Sequence, residues 1–119
     1  MASSLIKLPI TTDVLYAGDK WTTGEKTLDY DYANYDYLVL KLRTNAEYFT
    51  RTLPVYHGLL SGNAEFIDLV VYDTVGSAGW LYSGLYLSGG TNSKMSVSTN
   101  YSNANWILGI IKIIGVKIN

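Results

Sequence analysis

Apolar residues recur at every second position through much of this chain. In Tyr37 to Arg43, Leu38, Leu40 and Leu42 fall on one side, and Tyr37, Val39, Lys41 and Arg43 on the other. That is the period of a half-buried β-strand. Phe66 to Tyr72 repeats it, with Ile67, Leu69 and Val71 against Phe66, Asp68, Val70 and Tyr72. Trp80 to Ser88 does so again, with Leu81, Ser83, Leu85 and Leu87 against Trp80, Tyr82, Gly84 and Tyr86. Gly89-Gly90-Thr91-Asn92 is a strong turn signal, and beyond it Met95, Val97 and Thr99 alternate with Lys94, Ser96 and Ser98. Val14 to Tyr16 predicts a short first strand that ends in a turn at Ala17-Gly18-Asp19. Residues 1–12 are expected to form an extended N-terminal arm. Tyr48 to Tyr56 predicts a further strand, which Pro54 confines to a sheet edge or a bulge because it has no N–H to donate.

The last stretch, Trp106 to Asn119 (WILGIIKIIGVKIN), is rich in isoleucine, and β-branched residues suit a pleated surface better than a helix. Ile111 and Ile113 alternate with Lys112, and Val116 and Ile118 with Lys117, but the two halves are out of phase by one residue. A β-bulge at Gly115 would reconcile them. A central strand buried on both faces is the second choice. No window keeps apolar residues at i, i+3, i+4 and i+7 for long enough to make a convincing helix, so no helix is predicted. The expected fold is all-β: a single antiparallel β-sandwich or jelly roll of about seven or eight strands. The whole chain, 1–119, is read as one domain.

Composition narrows the function classes. The net charge is −1 and only 16% of residues are charged, so the basic field that nucleic acids or anionic membranes require is missing. Neither nucleic acid nor a membrane is expected as a partner. The amino terminus MASSLIKLPITTD lacks the apolar core of a secretory signal. Trp106 to Asn119, interrupted by Lys112 and Lys117, is too short to cross a bilayer. With no cysteine there is no disulfide or thiolate site. The marked bias is aromatic: eleven tyrosines and three tryptophans against two phenylalanines. Tyrosine combines a broad apolar ring with a polar tip, a combination favoured on surfaces that bind while wet.

Trp80, Tyr82 and Tyr86 fall on one face of one strand, with Gly84 leaving a gap. Such a stripe can stack on the apolar faces of sugar rings while phenolic tips bond hydroxyls. It equally suits packing against a second sheet or a neighbouring subunit. In Asp29 to Tyr37 (DYDYANYDY), Asp29, Asp31, Asn34 and Asp36 offer oxygens that could hold calcium, but without the spacing of an EF-hand loop. The plainer reading is a turn whose Asp and Asn bond local backbone while tyrosines cover the core edge. His57 is the sole histidine, so no imidazole zinc site is possible and any Ser-His-Asp triad would depend on it. No nucleophile elbow, dinucleotide fingerprint or P-loop occurs. Ten scattered carboxylates nominate no hydrolytic pair. The expectation is a binding protein that is not an enzyme and uses no cofactor or metal.

Two segments carry a family resemblance. Asn34-Tyr35-Asp36-Tyr37-Leu38-Val39-Leu40, followed by Ile107 to Ile118, resembles a module of tail-fibre, baseplate and minor structural proteins of phages that infect Gram-positive bacteria. In that module a YDYLxV strand opens the domain and an IxKIxGIK strand ends the chain. The resemblance implies a β-sandwich at the carboxyl end of a trimeric protein. Here no shaft, coiled coil or collagen-like repeat precedes it, and the domain is expected to be the whole protein. The resemblance further implies a virion location after assembly in the host cytoplasm, a homo-oligomer (a trimer by analogy), and other virion proteins as partners. Bacterial cell-wall polysaccharide is the expected ligand, held by Trp80, Tyr82 and Tyr86. The alternative is a purely structural virion protein that binds no glycan.

Overall fold

A computed structural model describes residues 9–31, 34–44, 47–55, 65–73, 79–88, 94–99 and 108–118. Eight strands make up almost all of it, and no helix occurs among the described residues. They are β1 (Ile10–Trp21), β2 (Gly24–Thr27), β3 (Tyr37–Arg43), β4 (Tyr48–Pro54), β5 (Glu65–Asp73), β6 (Gly79–Ser88), β7 (Lys94–Thr99) and β8 (Gly109–Ile118). They form two four-stranded sheets, ordered β1-β8-β3-β4 and β2-β7-β6-β5, and every pairing is antiparallel.

The alternation read from the sequence selects the inner residues. Leu38, Leu40 and Leu42 of β3, Leu69 and Val71 of β5, Leu81, Leu85 and Leu87 of β6, and Met95 and Val97 of β7 are all buried. They belong to one hydrophobic cluster that also takes in Leu15 and Trp21 of β1 and Ile110 and Ile113 of β8. At one edge Arg51 of β4 donates from Nη2 to the Val70 carbonyl of β5 at 3.3 Å, joining the two sheets. At the other edge the chain passes from β1 to β2, where Trp21 Nε1 donates to the Gly24 carbonyl at 3.0 Å. Thr44, fully buried, closes the β3–β4 connection: its N–H donates to the Glu47 carbonyl and its hydroxyl accepts from the Glu47 N–H.

The first strand is far longer than Val14 to Tyr16. It begins at Ile10, within the stretch expected to be an arm, because Ile10, Thr11 and Thr12 pair with Ile118, Lys117 and Val116. It also runs through Ala17-Gly18-Asp19, where a turn was expected. Two register shifts, between Val14 and Tyr16 and between Ala17 and Trp21, absorb those residues without ending the strand. The first shift turns Leu15 into the core. β2, with the polar sequence GEKT and every residue exposed, has no counterpart among the expected strands. β4 ends at Pro54, on the sheet edge where a proline is tolerated.

The bulge in β8 lies at Ile111, and the expectation that Gly115 holds it is corrected. Lys41 pairs with Lys112 and the next residue, Leu42, pairs with Ile110, so Ile111 is the extra residue. Ile110 and Ile113 are both fully buried. Three residues apart, they would fall on opposite faces of a regular strand, and the bulge brings them to the same side. Gly115 serves another purpose. A Cβ there would stand 2.6 Å from Cδ1 of the buried Tyr35 ring, so the glycine admits the ring against the backbone. The Tyr35 hydroxyl donates to Oδ2 of Asp13 on β1 at 2.8 Å. Beside it, the Asp36 N–H donates to the Val116 carbonyl, the Val55 N–H donates to the Asp36 carbonyl, and the Ile118 N–H donates to Asp36 Oδ2 at 2.8 Å. Tyr35 and Asp36 thus tie β1, β4 and β8 to the start of β3.

Two measurements check this latch. Gly115→Ala should lower stability in urea by about 1–3 kcal/mol, the usual cost of overpacking, and Tyr35→Leu in that background should recover part of the loss. Burial, the hydrogen bond to Asp13 and the charges of Asp13 and Tyr30 push the Tyr35 phenol up to about 12. A phenol whose pKa is raised on folding stabilises fully below its unfolded value near 10 and loses that contribution as pH rises toward the folded one. The protein should therefore lose stability between about pH 10 and about pH 12, and Tyr35→Phe should flatten that limb in thermal melts.

Candidate functional site

The aromatic stripe is positioned by the β5–β6 hairpin. Leu81, Leu85 and Leu87 are buried, so the alternate residues of β6 face away from the core. Trp80 is 57% exposed and Tyr86 42%, which removes the reading in which they pack against the second sheet of this chain. Both stand on the outer face of the sheet β2-β7-β6-β5. The strand position of Tyr82 lies on the same face, opposite Val70; its side chain lies outside the described residues. Gly84, between Tyr82 and Tyr86 along the strand, is buried.

One member of this face was missing from the stripe read in the sequence. Tyr72 of β5 pairs directly with Trp80 and is 49% exposed. Its ring meets the Trp80 indole edge to face, with centroids 5.0 Å apart and planes at 75°. This tilted arrangement suits the ring quadrupoles and leaves much of both rings open to solvent. The signal was available: Tyr72 is on the polar side of its strand's alternation, and a hairpin closed over residues 73–79 places it opposite Trp80.

Along β6, Trp80 and Tyr86 are six residues apart, or about 20 Å at the rise of an antiparallel strand. No single sugar ring touches both. The two ends of the face can engage only separate units of a longer ligand, with the short side chain of Ser96, opposite Tyr86, and Glu25, opposite Ser96, bordering one end. The Tyr72–Trp80 corner joins two exposed aromatic rings in direct contact.

A second aromatic group was not anticipated. Tyr16 and Trp21 of β1 approach to 5.5 Å between ring centroids, and Lys26 Nζ lies 5.6 and 5.7 Å from the two rings, within reach of cation–π attraction. The Tyr16 hydroxyl donates to the Asp19 carbonyl at 2.7 Å. Burial, with the charge of Asp19, holds the Tyr16 phenol above its usual range. These residues line a recess of about 200 Å³ with Lys20, Thr22 and Thr23, smaller than the usual pocket of a drug-sized ligand. The reading of Ala17-Gly18-Asp19 as a turn concealed it.

The other candidates take structural roles or fall outside the description. The carboxylate of Asp36 accepts from the Ile118 N–H, and the Asp31 carbonyl accepts from the Asn34 N–H at 3.0 Å. The first joins residues 82 apart in sequence and the second is a backbone turn, so neither is the local side-chain bond of the plainer reading. Asp29, Asp31 and Asp36 do not converge: no group of three or more His, Asp or Glu placed to hold a metal ion occurs among the described residues. His57 lies outside the described residues, as do the side chains of Glu65, Asp68 and Asp73.

Comparison of the sequence with protein-family models and with curated proteins gives no match.

Proposed function

We propose that this chain is a virion protein of a phage tail or baseplate that works by binding, with the outer face of β5 and β6 as its contact to a surface glycan. The observation that carries this reading is the exposed Tyr72–Trp80 pair. Two large rings are held edge to face on paired strands, so little conformational entropy is lost when a sugar stacks on the indole. Tyr86, and Tyr82 by strand parity, extend the face along the strand, which suits a repeating polymer better than a single sugar. The family resemblance supplies the phage context, the virion location and the homo-oligomer; each site would be weak, and several copies would raise the overall strength.

The sheets are proposed to stack as an antiparallel β-sandwich. In support, buried residues of both sheets share one hydrophobic cluster, and Arg51 bridges β4 to β5. Of the two packings expected from the sequence, the pairings favour the sandwich. A jelly roll wound from one ribbon of eight strands pairs β3 with β6 and β4 with β5, whereas here β3 pairs with β4 and β5 with β6.

One observation favours the alternative of a structural virion protein that binds only its neighbours. Ile10, Val14, Tyr37 and Ile118 are exposed, and their strand positions share the outer face of the β1-β8-β3-β4 sheet. Exposed apolar groups in one area commonly mark protein contacts.

Trp80→Ala separates the two readings. On an exposed strand face it should cost at most about 1.5 kcal/mol of stability, the value of an aromatic pair. It should also weaken binding to host cell-wall polysaccharide at least about tenfold, or roughly 1.4 kcal/mol, as measured by calorimetry. Unchanged glycan binding, or no binding by the unsubstituted protein, would remove the glycan role and leave the structural one.

A further inference from the structure

The β1-β8-β3-β4 sheet is electrically polar along its strands. At one end, Lys41 of β3 and Lys112 of β8 stand directly opposite each other. Opposed side chains in antiparallel strands lie about 5 Å apart, and like charges so placed are destabilising. Arg43 shares their face. Its guanidinium lies 5.1 Å and Lys41 Nζ 5.5 Å from the centre of the exposed Tyr48 ring, so one ring gathers both cations. Opposite Arg43 is Gly109, where a Cβ would run into Cγ of Lys20. The glycine therefore lets the Lys20 stem lie over β8, toward Arg43. Burial and then the Arg43 charge hold the Lys20 ammonium below the usual lysine range, in keeping with crowded positive charge. Among the described residues paired in register on this face, none is a carboxylate. Asp19 and Glu47 flank the cluster outside those pairs.

The opposite end of the sheet, where β3 begins, is acidic. Asp29 and Asp31 flank the exposed Tyr30. The Asp31 carbonyl is bonded to Asn34, next to the Tyr35–Asp36 latch, and Asp13 stands nearby with its carboxylate on Tyr35. Among the described residues, Lys117 is the cation at this end. β3 spans seven residues, so the two ends are separated by about 20 Å.

We propose that this chain associates head to tail, the cationic end of one copy, with Lys41, Arg43 and Lys112, receiving the Asp29-Tyr30-Asp31 segment of a second copy. The occupant is identified by charge complementarity: the same molecule presents an acid–tyrosine–acid segment, with Asp29 and Tyr30 exposed and Asp31 half-buried, at the far end of the sheet that holds the opposed lysine pair. Tyrosine, from Tyr30 and Tyr48 on the two sides, and arginine, from Arg43, are favoured at protein interfaces. A contact between two different surfaces repeats, so it closes into a ring or continues as a filament. The inference rests on the homo-oligomer reading and gives it surfaces, and it is independent of the glycan-binding face.

Reciprocal charge reversal tests it. Lys41→Glu with Lys112→Glu, and separately Asp29→Lys with Asp31→Lys, should each weaken self-association at least about tenfold in sedimentation equilibrium, with melting temperatures showing both variants folded. An equimolar mixture of the two variants should recover association, since the reversed surfaces then complement each other. Unsubstituted protein should dissociate as salt rises from about 0.05 to about 0.5 M, where screening shortens to a few Å. If one variant fails to fold, this salt dependence decides alone. An oligomer that ignores both salt and charge reversal, or folded variants that do not recover on mixing, would overturn this interface while leaving the homo-oligomer standing. A monomer at every concentration would overturn both.

Discussion

Everything in the β1-β8-β3-β4 sheet depends on one constraint: β8 must pair with β1 and β3 simultaneously while keeping Ile110 and Ile113 in the core. An unbroken strand cannot meet it, because residues three apart face opposite ways. Ile111 is therefore left out of the pairing with β3. β1 answers with its own irregularity over Ala17 to Trp21, opposite Lys112 and Ile110. The irregularity carries Trp21 into the core, positions Lys20 over Gly109 and shapes the recess beside Tyr16. A single phase correction in the central strand thus propagates outward into the edge strand.

The other end of β8 is held by side chains in place of a bulge. Tyr35 settles on Gly115, and Asp36 bonds to both the Val116 carbonyl and the Ile118 N–H. Within the segment whose Asp and Asn residues suggested calcium, Tyr35 and Asp36 are thus committed to core cover and backbone bonds. A buried tyrosine whose hydroxyl found no partner would be costly; Asp13 supplies one from β1. The tie therefore links three strands that are distant in sequence, at the point where β3 starts.

The sequence was most legible where one strand face is buried and the other is wet. In β3, β5, β6 and β7 the leucines, Val71, Val97 and Met95 stand in one phase and most of the polar and aromatic residues in the other, and the burial of the described side chains follows that division. It was least legible where registry is made by pairing. The polar β2 has no buried residue, and only its ladder with β7 makes it a strand. Gly18 and Asp19 look like a turn because nothing local reveals that a bulged edge strand can absorb them. The two glycines of β8 mislead similarly: Gly109 and Gly115 are both there for close approach, by Lys20 and by Tyr35, and neither marks the bulge. Half of the candidate site was visible in the phase of β6. Tyr72 required the additional step of pairing β5 with β6 in register.

The two outward faces carry different chemistry, and this separation is what allows both proposals to hold in one small protein. Period-two alternation gives each sheet one face to the core and one to solvent, so Trp80 and Tyr72 can be fully committed to the outside of one sheet while cations gather on the outside of the other. A contact that joined copies through the ends of the β1-β8-β3-β4 sheet would leave the β5–β6 face uncovered in every copy. Its aromatic corners would then repeat at the spacing of the assembly. A polymer that binds weakly at one Trp80 would meet the next at high effective concentration. Strength would then come from the number of faces engaged, and each contact could still be released singly.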